Sequence, residues 1–238
     1  MVRLGVNIDH IATLRNARNE HFPDVVEAGL VVENSGAELI TVHLREDRRH
    51  IRDNDVIELK KKLKIQLNLE MALTREMMDF ALNVKPDFIC LVPEKRHELT
   101  TEGGLNVIGH IEEIKSAIKI FHNKGIKVSL FVDPDEKQIL AAKEVLAYSI
   151  EIHTGAYAQI SNNYELSKEF KQIKQASELA HSLGLVVNSG HGLNYENVKP
   201  IANLANMHEL NIGFAIVARS IFYGLSDSVI QMKKLING

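Results

Sequence analysis

Residues 126–153 read Ile126-Lys-Val-Ser-Leu-Phe-Val-Asp133-Pro-Asp-Glu136-Lys-Gln-Ile-Leu-Ala-Ala-Lys-Glu-Val-Leu-Ala147-Tyr-Ser-Ile-Glu151-Ile-His153. The run Ile126–Val132 has the near-continuous apolar character of a strand buried on both faces. Asp133-Pro134-Asp135-Glu136 then reads as N-cap, N1, N2 and N3 of a helix running through Ala147. Tyr148–His153 is a second strand. Strand, helix and strand in succession make the two strands parallel, so their C-terminal ends lie on one side. Both ends carry polar chemistry: Asp133 after the first, Glu151 and His153 in the second.

The same unit recurs in both directions along the chain. Six further strands are predicted at Arg3–Ile8, Glu38–His43, Ile65–Glu70, Asp87–Val92, Leu185–Asn188 and Glu209–Ala215. Asp9 and His10, His43, Glu70 and His191 stand at or just beyond the ends of four of them. Helix signals fill the gaps: Pro23 before Asp24–Asn34 with Gly36 after it, and Glu165–Leu183 closed by Gly184. Eight parallel strands with polar residues gathered at one end imply a (β/α)8 TIM barrel, an α/β fold whose active site occupies that end. Residues 10–22, and two helical pieces at Val217–Tyr223 and Ser226–Leu235, exceed a minimal barrel.

At 238 residues the chain matches one barrel domain of ~250 residues, and no linker or composition shift divides it, so residues 1–238 read as a single domain. A net charge of −3 argues against a general nucleic-acid or membrane surface. The single cysteine, Cys90, lies inside an apolar run, as a small buried residue would. The chain opens on a strand-like run without a signal-peptide core, and no run approaches the ~20 apolar residues of a membrane span. These features imply a cytoplasmic protein.

His43, Glu70 and His191 supply three acid/base groups to one barrel face, suited to repeated proton transfers near neutral pH. Any one alone reads as a satisfied core residue; three together do not. Arg45-Glu-Asp-Arg-Arg-His50 places three arginines in six residues after the second strand, where guanidinium groups can hold phosphate by charge-assisted bonds; otherwise such a run is a solvated loop. Gly190-His-Gly192 and Gly213 follow strands seven and eight, where barrel enzymes often bind phosphate through backbone N–H groups; the plainer reading is tight turns. His21, His110, His122 and His181 lie away from strand ends and read as surface residues.

Several unbroken motifs carry a resemblance. Gly5-Val-Asn-Ile-Asp-His-Ile-Ala-Thr-Leu-Arg-Asn-Ala-Arg18, Thr41-Val-His-Leu-Arg-Glu-Asp-Arg-Arg-His-Ile51, Asn68-Leu-Glu-Met-Ala72 and Leu91-Val-Pro-Glu-Lys-Arg96 occur in order. Thr100-Thr-Glu-Gly-Gly104, Glu151-Ile-His-Thr-Gly155, Gly190-His-Gly192 and His208-Glu-Leu-Asn-Ile-Gly213 follow them. The chain thereby resembles the pyridoxine 5′-phosphate synthase family from end to end. That resemblance implies a (β/α)8 barrel with added helices, assembled as a homo-octamer built from dimers. It also implies condensation of 1-deoxy-D-xylulose 5-phosphate with 3-amino-2-oxopropyl phosphate to pyridoxine 5′-phosphate, inorganic phosphate and water, with no metal or organic cofactor.

Residue by residue, the resemblance makes His43 and Glu70 general bases, His191 a general acid, and Glu151 a stabiliser of transition-state charge. Arg45, His50, Asp9, His10 and Thr100 fall to deoxyxylulose phosphate. Asn7, Arg18, Gly192, Gly213 and Phe214 fall to the aminoketone phosphate. Phe214 stands where many relatives have histidine, which suits a backbone contact but not an imidazole contact. Residues 100–104 imply a loop closing over substrate, or else an ordinary lead into the next helix. Glu70 needs a raised pKa, from burial or a neighbouring carboxylate, to shuttle protons.

Three other functions are open to these residues. A metal-dependent barrel hydrolase could draw ligands from His10, His43, His153, His191 and Asp133, although the first strand ends Asn-Ile-Asp-His rather than on two histidines one residue apart. A Schiff-base aldolase lacks a lysine at a strand end, Lys95 lying in the loop beyond strand four. A phosphate-binding assembly protein leaves His43, Glu70 and His191 without roles.

Overall fold

The computed structural model describes residues 1–94, 103–160 and 163–238, with residues 163–166 described by their backbone. The chain runs β1 (Arg3–Asn7), α1 (Asp9–Asn16), α2 (Val25–Asn34), β2 (Leu39–His43), α3 (Asp53–Lys62), β3 (Gln66–Met71), α4 (Arg75–Val84) and β4 (Phe88–Leu91). It continues through α5 (Ile111–His122), β5 (Lys127–Val132), α6 (Glu136–Glu144), β6 (Ser149–His153), α7 (Gly155–Gln159), α8 (Asn163–Ser182) and β7 (Val186–Gly190). Then come α9 (Val198–Ala202), β8 (Glu209–Ile212), α10 (Phe214–Tyr223) and α11 (Leu225–Asn237). The eight strands pair in sequence order, all parallel, and β1 closes on β8 to make the barrel. Among the described residues no helix is long and apolar enough to cross a membrane.

Side chains alternate across each strand, and the two faces differ. Leu4, Val6, Ile40, Val42, Leu67, Leu69, Leu130, Val132, Ile150 and Ile152 are buried in one cluster with Val25, Val32, Val56, Leu59, Met77 and Ala81 of the helices. Burying each large aliphatic side chain there contributes roughly 1.5–3 kcal/mol. The alternate positions hold Thr41, Asn68, Glu151 and Asn211. Asn68 donates to Thr41 Oγ1 at 3.3 Å, Thr41 Oγ1 to Asn211 Oδ1 at 3.1 Å, and Asn211 Nδ2 to Glu151 Oε2 at 2.7 Å. β2 and β8 flank β1, and β6 and β8 flank β7, so these bonds cross the barrel interior. The outer face is apolar throughout, whereas the interior mixes these polar groups with Leu39, Cys90 and Phe131.

Several predicted boundaries move by a few residues, among them the end of α6 at Glu144 and of β7 at Gly190, and two of the shifts have a clear cause. α6 begins at Glu136 with Asp135, not Asp133, as N-cap, the Asp135 side chain accepting the Gln138 N–H at 3.0 Å. Asp133 is withdrawn from that role because its carboxylate binds His153 and Gly104. β8 ends at Ile212 rather than Ala215, since Gly213 caps α10 and residues from Phe214 onward are already helical. α2 does start where the sequence implies, with the Asp24 carboxylate accepting the Glu27 N–H at 2.7 Å.

Candidate active site

Parallel register places His43 of β2 directly opposite Glu70 of β3 at the C-terminal rim. Their side chains emerge on the same face, bringing His43 Nδ1 to 3.8 Å from Glu70 Oε2. The other ring nitrogen, Nε2, lies 2.8 Å from Glu94 Oε1. Glu94 also accepts the Glu46 N–H at 3.2 Å. Burial pushes the Glu94 carboxyl upward, but the bonds from His43 and from that N–H outweigh it and hold it below its usual value. Glu94 therefore stays ionised and accepts a proton from Nε2, which turns Nδ1 toward Glu70. Asp9 supports the same side chain from beneath: its Oδ1 accepts the His43 backbone N–H at 2.8 Å, and its Oδ2 the Asn7 Nδ2–H at 2.9 Å.

Glu70 and Glu151 hold their protons far more tightly than ordinary carboxylic acids. Burial raises Glu70 well above its usual value, and the negative charges of Glu151 and Asp9 push it the same way. Both causes named from the sequence, burial and a neighbouring carboxylate, thus operate. Glu151 is raised to about 8, mainly by burial and further by Glu209, against the bond from Asn211. Room for Glu151 comes from Gly190, where a Cβ would lie 2.2 Å from Glu151 Oε1. Glu209, deeper in the barrel, is raised to about 7 by burial, with Arg3 opposing.

His191 follows β7 in the left-handed region, with φ of 77°, a conformation that costs a non-glycine residue roughly 1–2 kcal/mol. Thr154 holds it there: its Oγ1 lies 2.7 Å from the carbonyl oxygens of both Gly190 and His191. Its ring sits 5.0 Å from that of His153. Burial, then the charge of His153, lowers His191 to about 4.

The remaining predicted residues fall into three groups. Arg45 is buried beside the site. His50 accepts the Ile51 N–H on Nδ1 at 2.9 Å, so its neutral ring carries the proton on Nε2; burial chiefly lowers its pKa, and Asp9 partly opposes this. On the β1–β8 side, a Cβ on Gly213 would lie 2.9 Å from Asn7 Cβ, so these two residues are packed together. Phe214 opens α10 with no side-chain cap before it, and its exposed ring meets His10 edge-on at 5.3 Å. Gly192 is exposed with φ of 78°. Arg18 is exposed in the turn after α1, and Thr100, like Lys95, lies outside the described residues. His21, His110, His122 and His181 are exposed, as read from the sequence.

Glu94 has no role in the sequence reading. It belongs to the quoted stretch 91–96, but its partner His43 is 51 residues away, and only the fold joins them. Among the described residues, Asp9, His43 and Glu70 offer ligand atoms within 4.8 Å of one another and could hold a cation. Of the five residues suggested for a hydrolase metal, only His43 belongs to that trio, and His153 is instead bonded to Asp133.

A family model described as "Pyridoxal phosphate biosynthesis protein PdxJ" matches residues 4–238. The chain belongs to the PdxJ family. A PdxJ-like relative, "Pyridoxine 5′-phosphate synthase" of Pseudoalteromonas translucida (strain TAC 125), is 54% identical over 234 residues, covering 98% of this chain and 96% of the relative. Solved structures share the fold at low identity. KGPDC from Streptococcus mutans matches with TM-score 0.67 and 14% identity, covering 100% of this chain and 98% of that one. 3-Hexulose-6-phosphate synthase matches with TM-score 0.68 and 14% identity, covering 98% and 99%. Neither family nor relative supports the hydrolase alternative.

Proposed function

We propose that this PdxJ-family chain is a pyridoxine 5′-phosphate synthase. It condenses 1-deoxy-D-xylulose 5-phosphate with 3-amino-2-oxopropyl phosphate to pyridoxine 5′-phosphate, inorganic phosphate and water. The observation that carries this reading is the His43–Glu70 pair: a basic imidazole nitrogen 3.8 Å from a carboxyl group whose pKa is strongly raised. Imine formation, dehydration and ring closure each move protons, and two groups holding a proton and a lone pair side by side can take and return them in turn. Glu151, protonated up to about pH 8, then supplies a hydrogen bond to developing negative charge.

The two phosphates are assigned to two residue sets that adjoin at the end of β1, where Asn7 bonds Asp9 and Phe214 meets His10. Arg45, His50, Asp9, His10 and Thr100 receive deoxyxylulose phosphate. Asn7, Arg18, Gly192, Gly213 and the backbone N–H of Phe214 receive the aminoketone phosphate. The Phe214 ring turns toward His10, while its N–H belongs to the first turn of α10, where helices favour anions. A phosphate dianion beside Gly192 would raise neighbouring His191 from about 4, favouring the protonated form that an acid needs when substrate arrives. The enzyme uses no organic cofactor or metal, acts in the cytoplasm as one domain, and assembles as a homo-octamer built from dimers.

Incubating the protein with both substrates tests the reading. Pyridoxine 5′-phosphate should form with both, not with either alone, and its formation should survive treatment with a chelator. Product absent under these conditions sinks the assignment; product lost only on chelation returns the reaction to metal chemistry at Asp9, His43 and Glu70.

A further inference from the structure

The turn joining β6 to α7, His153-Thr154-Gly155, packs against His191, yet of the stretch from Glu151 to Gly155 only Glu151 has a part in the proposed chemistry. The Asp133 carboxylate accepts the Gly104 backbone N–H at 3.0 Å and lies 3.0 Å from His153 Nδ1. The bond to His153 is the largest influence holding Asp133 below its usual pKa, against burial. An ionised carboxylate only accepts, so the His153 Nδ1 proton is fixed in that bond. His153 Nε2 is buried without a hydrogen-bond partner among the described residues. The His153 ring meets His191 at 5.0 Å and 64°, with Phe131 at 5.0 Å from His153 and 6.4 Å from His191.

Space for this contact depends on Gly155. A Cβ there would lie 2.4 Å from His153 Nε2 and 3.0 Å from His191 Cδ2, driving between the rings. Thr154, between the two, clamps the His191 backbone through its hydroxyl. Three consecutive residues thus fix the ring face, the backbone and the gap of one imidazole. We propose that His153, locked by Asp133, is a positioning residue for His191, with Thr154 and Gly155 completing the cradle. Strand-borne positioning of this kind suits a proton donor that must meet its acceptor within a few tenths of an ångström. The inference rests on the reading of His191 as the acid only for its effect on rate.

The test uses the full chain carrying His153→Phe, Asp133→Asn or Gly155→Ala, each alone and combined with His191→Asn. The 15N shifts of the His191 ring nitrogens in histidine-labelled protein report its tautomer and bonding without turnover. Each single substitution should displace those shifts. Each should also lower kcat about 10- to 100-fold, change KM for either substrate less than about threefold, and add less than about twofold in the His191→Asn background. Unmoved His191 shifts overturn the proposal. So does a full additional loss in the His191→Asn background, since His153 would then act independently. If the shifts move while His191→Asn remains fully active, the positioning holds and His191 loses its place as the acid. Should His153→Phe fail to fold, Asp133→Asn reads the same coupling from an exposed carboxylate.

Discussion

His43 Nε2 lies 2.8 Å from Glu94 Oε1, and this bond decides which nitrogen of the ring faces the chemistry. With Nε2–H directed at Glu94, the lone pair of Nδ1 is turned toward Glu70. Glu94→Gln keeps a carbonyl acceptor but loses the charge, so kcat should fall about tenfold. Glu94→Ala frees the ring to adopt the other tautomer, and the fall should reach ~10²-fold or more, with KM nearly constant. Steady-state kinetics of the two variants check this; equal activity of Glu94→Ala and the parent enzyme would remove Glu94 from the site.

Glu151 should cost the protein stability in alkali. Its folded pKa, about 8, exceeds the unfolded value near 4.5, so the folded state binds the proton more tightly. That stabilisation is complete below about pH 4.5 and is lost as pH rises toward 8. Glu151→Gln removes this group's share of the dependence, leaving that of Glu70 and Glu209, while retaining an amide for Asn211 to meet. The variant should therefore melt several degrees higher than the parent at pH 9, at about 2–4 °C per kcal/mol for a chain of this size, with a much smaller difference at pH 5. Its activity should fall sharply. Thermal unfolding at the two pH values distinguishes this from a simple packing effect, which would persist at both.

Much of this site is legible in the chain because parallel topology converts sequence position into place. His43 and Glu70 stand at the ends of their runs, Glu151 two residues before the end of its strand and His191 just beyond one, and the barrel brings all such ends together. Other features depend on tertiary competition. Asp133-Pro134-Asp135-Glu136 contains two credible caps, and local chemistry alone does not reveal that His153 claims the first. The polar interior is written as alternation at Thr41 and His43, Asn68 and Glu70, and Glu209 and Asn211, but the outward aliphatic residues make each run look uniformly apolar. Glu94 follows no strand end directly, so its bond to His43 leaves no local signal.

Arg45 and Phe214 should separate the two phosphate substrates. Loss of a charge-assisted hydrogen bond costs about 1.5–3 kcal/mol. Arg45→Ala should therefore raise KM for deoxyxylulose phosphate by about 10- to 100-fold and change that for the aminoketone phosphate much less. Phe214→Ala keeps the backbone N–H and should leave the aminoketone KM within about threefold. A large increase with Phe214→Ala would mean that the ring, not the backbone, matters.

The exposed end of α10 offers a test of assembly. Ile221, Phe222 and Tyr223 are 72%, 82% and 59% exposed in the single chain, and adjacent large apolar groups of this kind mark surfaces that another chain covers. Under the proposed octamer built from dimers, Phe222→Glu should shift the mass measured by light scattering at micromolar concentration toward smaller species. Its secondary structure should remain intact. A parent protein that is monomeric at that concentration would rule the octamer out.

Glu70→Gln gives the sharpest result for the proposed reaction. Burial first, and then the neighbouring carboxyl groups of Glu151 and Asp9, raise Glu70 well above its usual value, so glutamine matches the size and charge of its protonated form and should leave the barrel stable. It can still accept a hydrogen bond, but it cannot surrender a proton to His43 and recover it. Binding and proton transfer are separable in such a variant. Affinity for each substrate should stay within about tenfold, while formation of pyridoxine 5′-phosphate falls by ~10²–10⁴-fold. Rapid mixing under single-turnover conditions should then reveal bound substrates that do not close the ring. A Glu70→Gln enzyme turning over near the parent rate would show that the proton held between Glu70 and His43 has no part in the slow step.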